Sequence, residues 1–248
     1  MPVLVVGHYC HDTIARNAGV HRTLGGSAAY VSAILDAAGQ PHQVVAKVGA
    51  DFLYGGQVSR KPLVVAGPTT AFVDDYRGAE RRERVEAVAP AIEPAELPGG
   101  NEVGIACGIA GEVPLRTLRR LREISRVVVA DAQSILRVVR PDGEVMLRPP
   151  EVGAVECIDV LKASKAEAGV LDVAELRKRI AVIVTDGARG SDVFGVDVEL
   201  HVPAYPAREV DPTGAGDCFL AGLGLALLRG LPVGKAALHA SWFGARAV

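Results

Sequence analysis

The sequence predicts an α/β protein with a mainly parallel sheet and helices packed on it. Three observations predict this. Short β-branched runs alternate with longer helical patterns along most of the chain, the arrangement of βαβ units with right-handed crossovers. Hydrophobic content is 49% while aromatic content is only 4%, and the 28 glycines suit helices packed tightly on strands. Two hairpin-like stretches, 13–24 and 69–88, interrupt the rhythm and predict a small separate sheet.

Residues 3–7 read as a buried strand, a short β-branched run closed by Gly7. His8 to Asp12 follow at its C-terminal end, where open α/β sheets place ligands. Asp12 is a candidate acceptor for substrate hydroxyls, with a turn or cap role as the alternative. His8 and His11 lack a third metal-type neighbour, so a metal role is set aside. The first hairpin turns at Asn17-Ala18-Gly19. Gly25-Gly26 then precede a helix over 27–38 ended by Gly39, and two glycines there permit close ligand approach. Residues 43–49 read as a strand, and 69–76 with 81–88 as the second, charged hairpin around Arg77-Gly78-Ala79-Glu80. The interleaved acids of Arg81-Arg82-Glu83-Arg84 favour a solvated strand over a nucleic-acid contact. Strands are predicted at 103–107, 127–130, 155–161 and 181–185, and helices at 114–125, with Pro114 near its start, and 173–180. Arg119, Arg120 and Arg122 fall on the wet face of the first of these helices.

A strand over 201–210 is expected to lead into Asp211-Pro212-Thr213-Gly214-Ala215-Gly216-Asp217, followed by an apolar helix ending at Gly230. Gly-Ala-Gly removes side chains where the first helical N–H groups point outward, which makes an anion site. Asp217 in the first turn would be repelled by that anion unless its task is to take a proton from an attacking hydroxyl. Glycines, anion hole and base within seven residues point to phosphoryl transfer. A last helix is predicted over 233–248. Gly230 to Ala236 only imitates a P-loop: three residues separate its glycines, and Ala236 follows Lys235 where a hydroxyl is needed.

Asp211 to Asp217 with Phe219 resembles the C-terminal signature of the ribokinase-like (PfkB) carbohydrate kinases, and Gly25-Gly26 resembles that family's N-terminal di-glycine. The resemblance runs over nearly the whole chain. It implies a three-layer sandwich of one kinase domain, 1–248, with a small β lid from the two hairpins. It implies ATP and Mg²⁺, with Asp217 as catalytic base, the Gly214, Ala215 and Gly216 amides on the transferring phosphate, and Gly187 and Ser241 on the nucleotide side. Asp12, Gly25 and Gly26 would hold the acceptor. Ser164-x-x-Glu167 stands where the family carries Asn-x-x-Glu; Glu167 would arrange Mg²⁺ through water and Ser164 would donate to a phosphate, with a helix-capping pattern as the alternative. Asp211 and Thr213 stand where relatives bind an activating monovalent cation such as K⁺. Gly49-Ala50-Asp51 matches the family's usual strand exit. Ser241 replaces an adenine-side Asn, and the ending at Val248 is short for the family. Within it, residues 6–12, 68–70, 161–164 and 211–217 look most like the myo-inositol 3-kinases of plants, which implies phosphorylation of a small polyol on the way to phytate. Another sugar or nucleoside kinase, or a non-catalytic scaffold, remains open from sequence.

The net charge of -2 offers no global basic field for nucleic acid. Cys10, Cys107, Cys157 and Cys218 are widely spaced and read as reduced thiols of a cytoplasmic protein, monomer or homodimer. Cys218 at a helix start is read as packing, with a lowered pKa as the alternative. No apolar run reaches the roughly 18 residues of a membrane span, and the opening run has no basic leader.

Overall fold

The computed structural model describes residues 2–78, 82–208 and 212–248. Strand β1 (Val3–Val6) is buried along its whole length. Val3 and Val5 enter one apolar cluster and Leu4 and Val6 the other, so both faces of the strand are covered. That explains its uniformly apolar sequence. Next come β2 (Cys10–Arg16) and β3 (Gly19–Gly25), a hairpin longer than predicted, since Cys10, His11 and Asp12 already lie in β2. Helix α1 (Ser27–Ala37) starts directly at Gly26, whose φ of 91° is costly for any side-chain-bearing residue.

Strands β4 (His42–Val45) and β5 (Lys47–Val48) replace the single strand predicted there, β5 leaving the main sheet to pair with β6 (Leu63–Val64). Strands β7 (Thr70–Asp75) and β8 (Arg82–Ala87) form the second hairpin. Part of its turn, residues 79–81, lies outside the described residues. The two hairpins join through parallel pairing of β2 with β7 into a four-stranded sheet, β3-β2-β7-β8, as expected. Asp51 pins the entry to β7, its Oδ1 accepting from the Thr69 N–H and hydroxyl at 2.9 and 2.8 Å.

The βα rhythm resumes with β9 (Asn101–Ala106), α2 (Leu115–Ile124) and β10 (Ser125–Asp131). Short α3 (Gln133–Leu136) and the hairpin β11 (Arg137–Val139) and β12 (Val145–Leu147) have no counterpart in the sequence reading. The hairpin's Val139 and Val145 pack beneath the small sheet on Phe72 and Val85. β13 runs over Val160–Ser164, later than predicted, because residues 155–157 form a 3₁₀ turn. Next come α4 (Lys165–Ala168), α5 (Val173–Leu176), β14 (Ala181–Thr185) and the antiparallel β15 (Ser191–Phe194) and β16 (Glu199–Val202).

The predicted strand over 201–210 is a correction. Among the described residues it ends at Val202, and Pro203 and Pro206, which have no N–H to give a ladder, carry residues 203–208 out of the sheet, while 209 and 210 lie outside the described residues. Helices α6 (Ala215–Leu228) and α7 (Val233–Arg246) close the chain. The main sheet has the order β16-β15-β14-β13-β10-β9-β1-β4, with parallel pairing from β14 to β4. α6 is apolar all round because it lies between that sheet and its neighbours α1 and α7. Gly224 against Ile105 and Gly222 against Phe243 allow the close approach. Among the described residues no helix is long and apolar enough to cross a membrane.

Candidate active site

The parallel strands all end at one edge, and their terminal polar residues converge there with the start of α6. Gly214 caps α6 in the left-handed region at φ 80°, and a Cβ on it would sit 2.7 Å from the Tyr30 ring. Both facts demand glycine. The Ala215 N–H is already given to the Pro212 carbonyl at 3.1 Å, so it is less available than expected for an anion. Asp211 lies outside the described residues.

Two cavities meet at this helix start. The first, about 360 Å³, is lined by Asp12, Gly26, Gly214, Gly216 and Asp217 among others, with Thr213, Ser164 and Glu167 also in its wall. The second, about 480 Å³ and mostly apolar, is lined by Gly187, Ala188, Tyr205, Phe219, Ser241 and Gly244 among others. Pro212 and Gly216 border both. Every described site residue predicted from sequence lines one of these cavities except Gly25, which acts behind the wall. A Cβ on Gly25 would fall 1.9 Å from Asp12 Oδ2, so its absence creates the space the Asp12 carboxylate occupies.

Asp217 faces the first cavity. Burial and the neighbouring Asp131 carboxylate raise its pKa to about 6, against a hydrogen bond from Ser27 and the positive charges of Lys162 and Arg137. A base with that pKa is mostly ionised at neutral pH yet still able to hold a proton. Ser27 is the first residue of α1, and its Oγ accepts from Gln133 Nε2 at 2.8 Å. The Gly25-Gly26 turn therefore orients the acid through Ser27. Cys218 is buried and its thiol is pushed up to about 12 by burial and by Asp217, which favours the packing role over a lowered pKa.

Ser164 and Glu167 form a capping box on α4. Glu167 Oε2 accepts from the Ser164 N–H and hydroxyl, each at 2.8 Å, and the Glu167 N–H donates to Ser164 Oγ at 3.3 Å. The capping reading holds, and both residues also line the first cavity, with the Ser164 donors given to Glu167. Among the described residues no group of three His, Cys, Asp or Glu side chains is placed to ligate a metal. Glu167 nonetheless fits a divalent ion carried by phosphates, for Mg²⁺ keeps several waters and needs only one or two carboxylates nearby. Ser241 is buried in the second cavity and gives its hydroxyl to the Pro203 carbonyl at 3.3 Å. Gly187, at φ 54°, has open space where a Cβ would point.

The sequence reading missed further residues of the first cavity, among them Tyr30 of α1, Asp74 of β7, Glu83 of β8 and Arg137 of β11. It also missed an ion pair beneath Gly216. Lys162 Nζ donates to Asp131 Oδ2 at 2.7 Å, with Lys162 6% and Asp131 1% exposed. The available signal was a polar residue near the C-terminal end of each of two apolar strands.

The geometry matches known proteins along its length. Residues 105–248 match the model of the pfkB family carbohydrate kinases. An inositol 3-kinase of Zea mays is 41% identical over 99% of this chain and 71% of its own length. The chain belongs to the pfkB family of carbohydrate kinases. An inositol 3-kinase of Arabidopsis thaliana is 39% identical over 98% of this chain and 72% of its own length. Solved structures of pfkB-type kinases share the ribokinase-like fold. A pyrophosphate-dependent kinase of the ribokinase family, complexed with a pyrophosphate analog and myo-inositol, superposes with a TM-score of 0.81 at 18% identity over 98% of this chain and 93% of its own. Thermotoga maritima ribokinase superposes with a TM-score of 0.78 at 15% identity, covering 99% and 92%.

Proposed function

We propose that this kinase transfers the γ-phosphoryl group of ATP to myo-inositol, giving myo-inositol 3-phosphate and ADP. The observation that carries this reading is the meeting of the two cavities at Gly216, with Asp217 on the acceptor side. Relatives about 40% identical over almost the whole chain bear the name inositol 3-kinase, which supports the acceptor.

Electrostatics also favour a neutral polyol. Among the described residues six carboxylate side chains line the first cavity, against two cations, Lys162 and Arg137. Arg137 is itself paired to Glu83 at 3.2 Å. Carboxylates accept from hydroxyls, whereas a sugar phosphate would be repelled. The apolar second cavity suits a nucleobase, which a bare pyrophosphate donor would not need.

Asp12, beside Gly25 and Gly26, holds the polyol. The attacking hydroxyl forms the new O–P bond and gives its proton to the Asp217 carboxylate. The bond from the γ-phosphorus to the bridging oxygen breaks, and its electron pair leaves with ADP. The N–H groups of Gly214 and Gly216 stabilise charge on the phosphoryl oxygens. The Ala215 N–H joins them only if its bond to Pro212 opens. Gly187 and Ser241 border the base, and the Ser164 hydroxyl donates to a phosphate oxygen only if its bond to Glu167 opens. Mg²⁺, when bound, neutralises phosphate charge; Glu167 holds its water shell. Thr213 lines the first cavity and, with Asp211 as in the family's signature, would bind K⁺, tested by comparing K⁺ with tetramethylammonium. The site is built within one chain, so a monomer or homodimer serves equally, as one kinase domain with a lid in the cytoplasm. Its product would feed phytate synthesis. The test is ADP formation across myo-inositol, ribose, fructose and adenosine, with the inositol product's position read by NMR. A clear preference for ribose or adenosine overturns the acceptor assignment.

A further inference from the structure

The buried ion pair under the helix start has no part in the mechanism above. Lys162 lies near the end of β13 and Asp131 at the end of β10, adjacent parallel strands. Burying a lysine is costly unless its charge has a task or a partner. Here the partner is a single carboxylate oxygen, while an ammonium carries three donors. A Cβ on Gly216 would lie 2.9 Å from Lys162 Nζ, so the ammonium sits directly against the glycine that borders both cavities. Its surroundings are acidic. Asp131, Asp217 and Glu167 all line the same cavity, and the only other cation there among the described residues is Arg137, already held by Glu83. A polyphosphate arriving among three carboxylates needs compensating charge on the protein side.

We propose that Lys162 is a catalytic residue that donates from its ammonium to the transferring phosphoryl group, with Asp131 as the positioning residue that holds it there. This rests on the phosphoryl-transfer reading and adds a fixed cation to the helix amides. Burial opposes the Lys162 charge, but the pull of Asp131 and Glu167 outweighs it and raises the Lys162 pKa. A purely structural ion pair joining two strand ends is the competing account, and the two differ in what they predict.

The test compares wild type with Lys162→Met, Asp131→Asn and the double variant, each checked by thermal melting. Lys162→Met alone leaves Asp131 buried without its partner and is expected to lower stability. The double variant removes the pair without stranding a charge and is expected to stay folded. Its kcat should fall on the order of 10²–10³-fold, the usual cost of one lost transition-state donor, with the KM for inositol little changed. Calorimetry supplies a readout without turnover: affinity for the imido analogue of ATP should drop at least tenfold while ADP affinity holds.

A pH series adds a sign. Asp217 faces Asp131, Lys162 and Arg137, with Ser27 as a neutral donor and Cys10 and Cys107 nearby. Losing Lys162 alone should move the acidic limb of kcat to higher pH, and losing Asp131 alone should move it lower. A folded double variant with kcat within threefold of wild type and an unchanged analogue-to-ADP affinity ratio overturns the proposal. If wild type binds both nucleotides but does not phosphorylate inositol, only the acceptor reading fails, and the affinity ratio still decides Lys162. If wild type binds neither nucleotide, the donor reading and this role fall together.

Discussion

Asp217→Asn should trade activity for stability. The folded pKa of Asp217 is about 6, raised chiefly by burial and by Asp131, whereas an unfolded Asp titrates near about 3.9. The native state therefore holds the proton more tightly than the unfolded chain. Stability falls as pH rises from about 4 to about 6, and the full cost, on the order of 3 kcal/mol at about 1.36 per pH unit, is present above that window. Asparagine removes the cost and weakens the hydrogen bond from Ser27 by about 1 kcal/mol. A net gain of roughly 1–2 kcal/mol at pH 8 should raise Tm by about 3–6 °C for a chain of this size. The gain should be lost near pH 4, where the folded acid is protonated and the unfolded acid about half protonated, so little of the cost remains to be removed. Turnover should fall about 10²–10⁴-fold through loss of the general base. Thermal melts at pH 4 and pH 8, with ADP formation, check both halves. Near-normal turnover, or a Tm change equal at both pH values, would refute the reasoning.

In wild type, kcat should rise with pH through about 6 because the base must be ionised; a flat profile from pH 5 to 8 argues against Asp217. Gly25→Ala would drive a methyl group to 1.9 Å from Asp12 Oδ2, so the KM for inositol should rise about 10–100-fold, the worth of a charged hydrogen bond, with ATP affinity unchanged by calorimetry. Ala245→Phe fills the second cavity and should raise the KM for ATP without altering inositol binding; the opposite pattern would exchange the two cavities' roles. Leu223, fully buried between sheet and helices, should cost about 2–5 kcal/mol when cut to alanine, read by denaturant melts.

The sequence by itself determined the layered α/β fold, the two hairpins, the start of α6 and the acid in its first turn. These rest on local signals: apolar periodicity marks buried strands and helices, and Gly214-Ala215-Gly216-Asp217 needs only its own backbone to make a helix start with an acid in its first turn. The order of Gly25-Gly26 before α1 was legible for the same reason. Boundaries were less so. β13 begins at Val160 because a 3₁₀ turn takes up residues that look strand-like alone, and β16 stops at Val202 because prolines follow. Only the tertiary structure decided how the site is charged. Asp131 and Lys162 are 31 residues apart, and they pair because neighbouring parallel strands end side by side. Ser27 at the start of α1 and Gln133 at the start of α3, 106 residues apart, meet beside Asp217. The pKa of Asp217 depends on burial and on charges delivered by other strands, quantities that no local stretch of sequence contains.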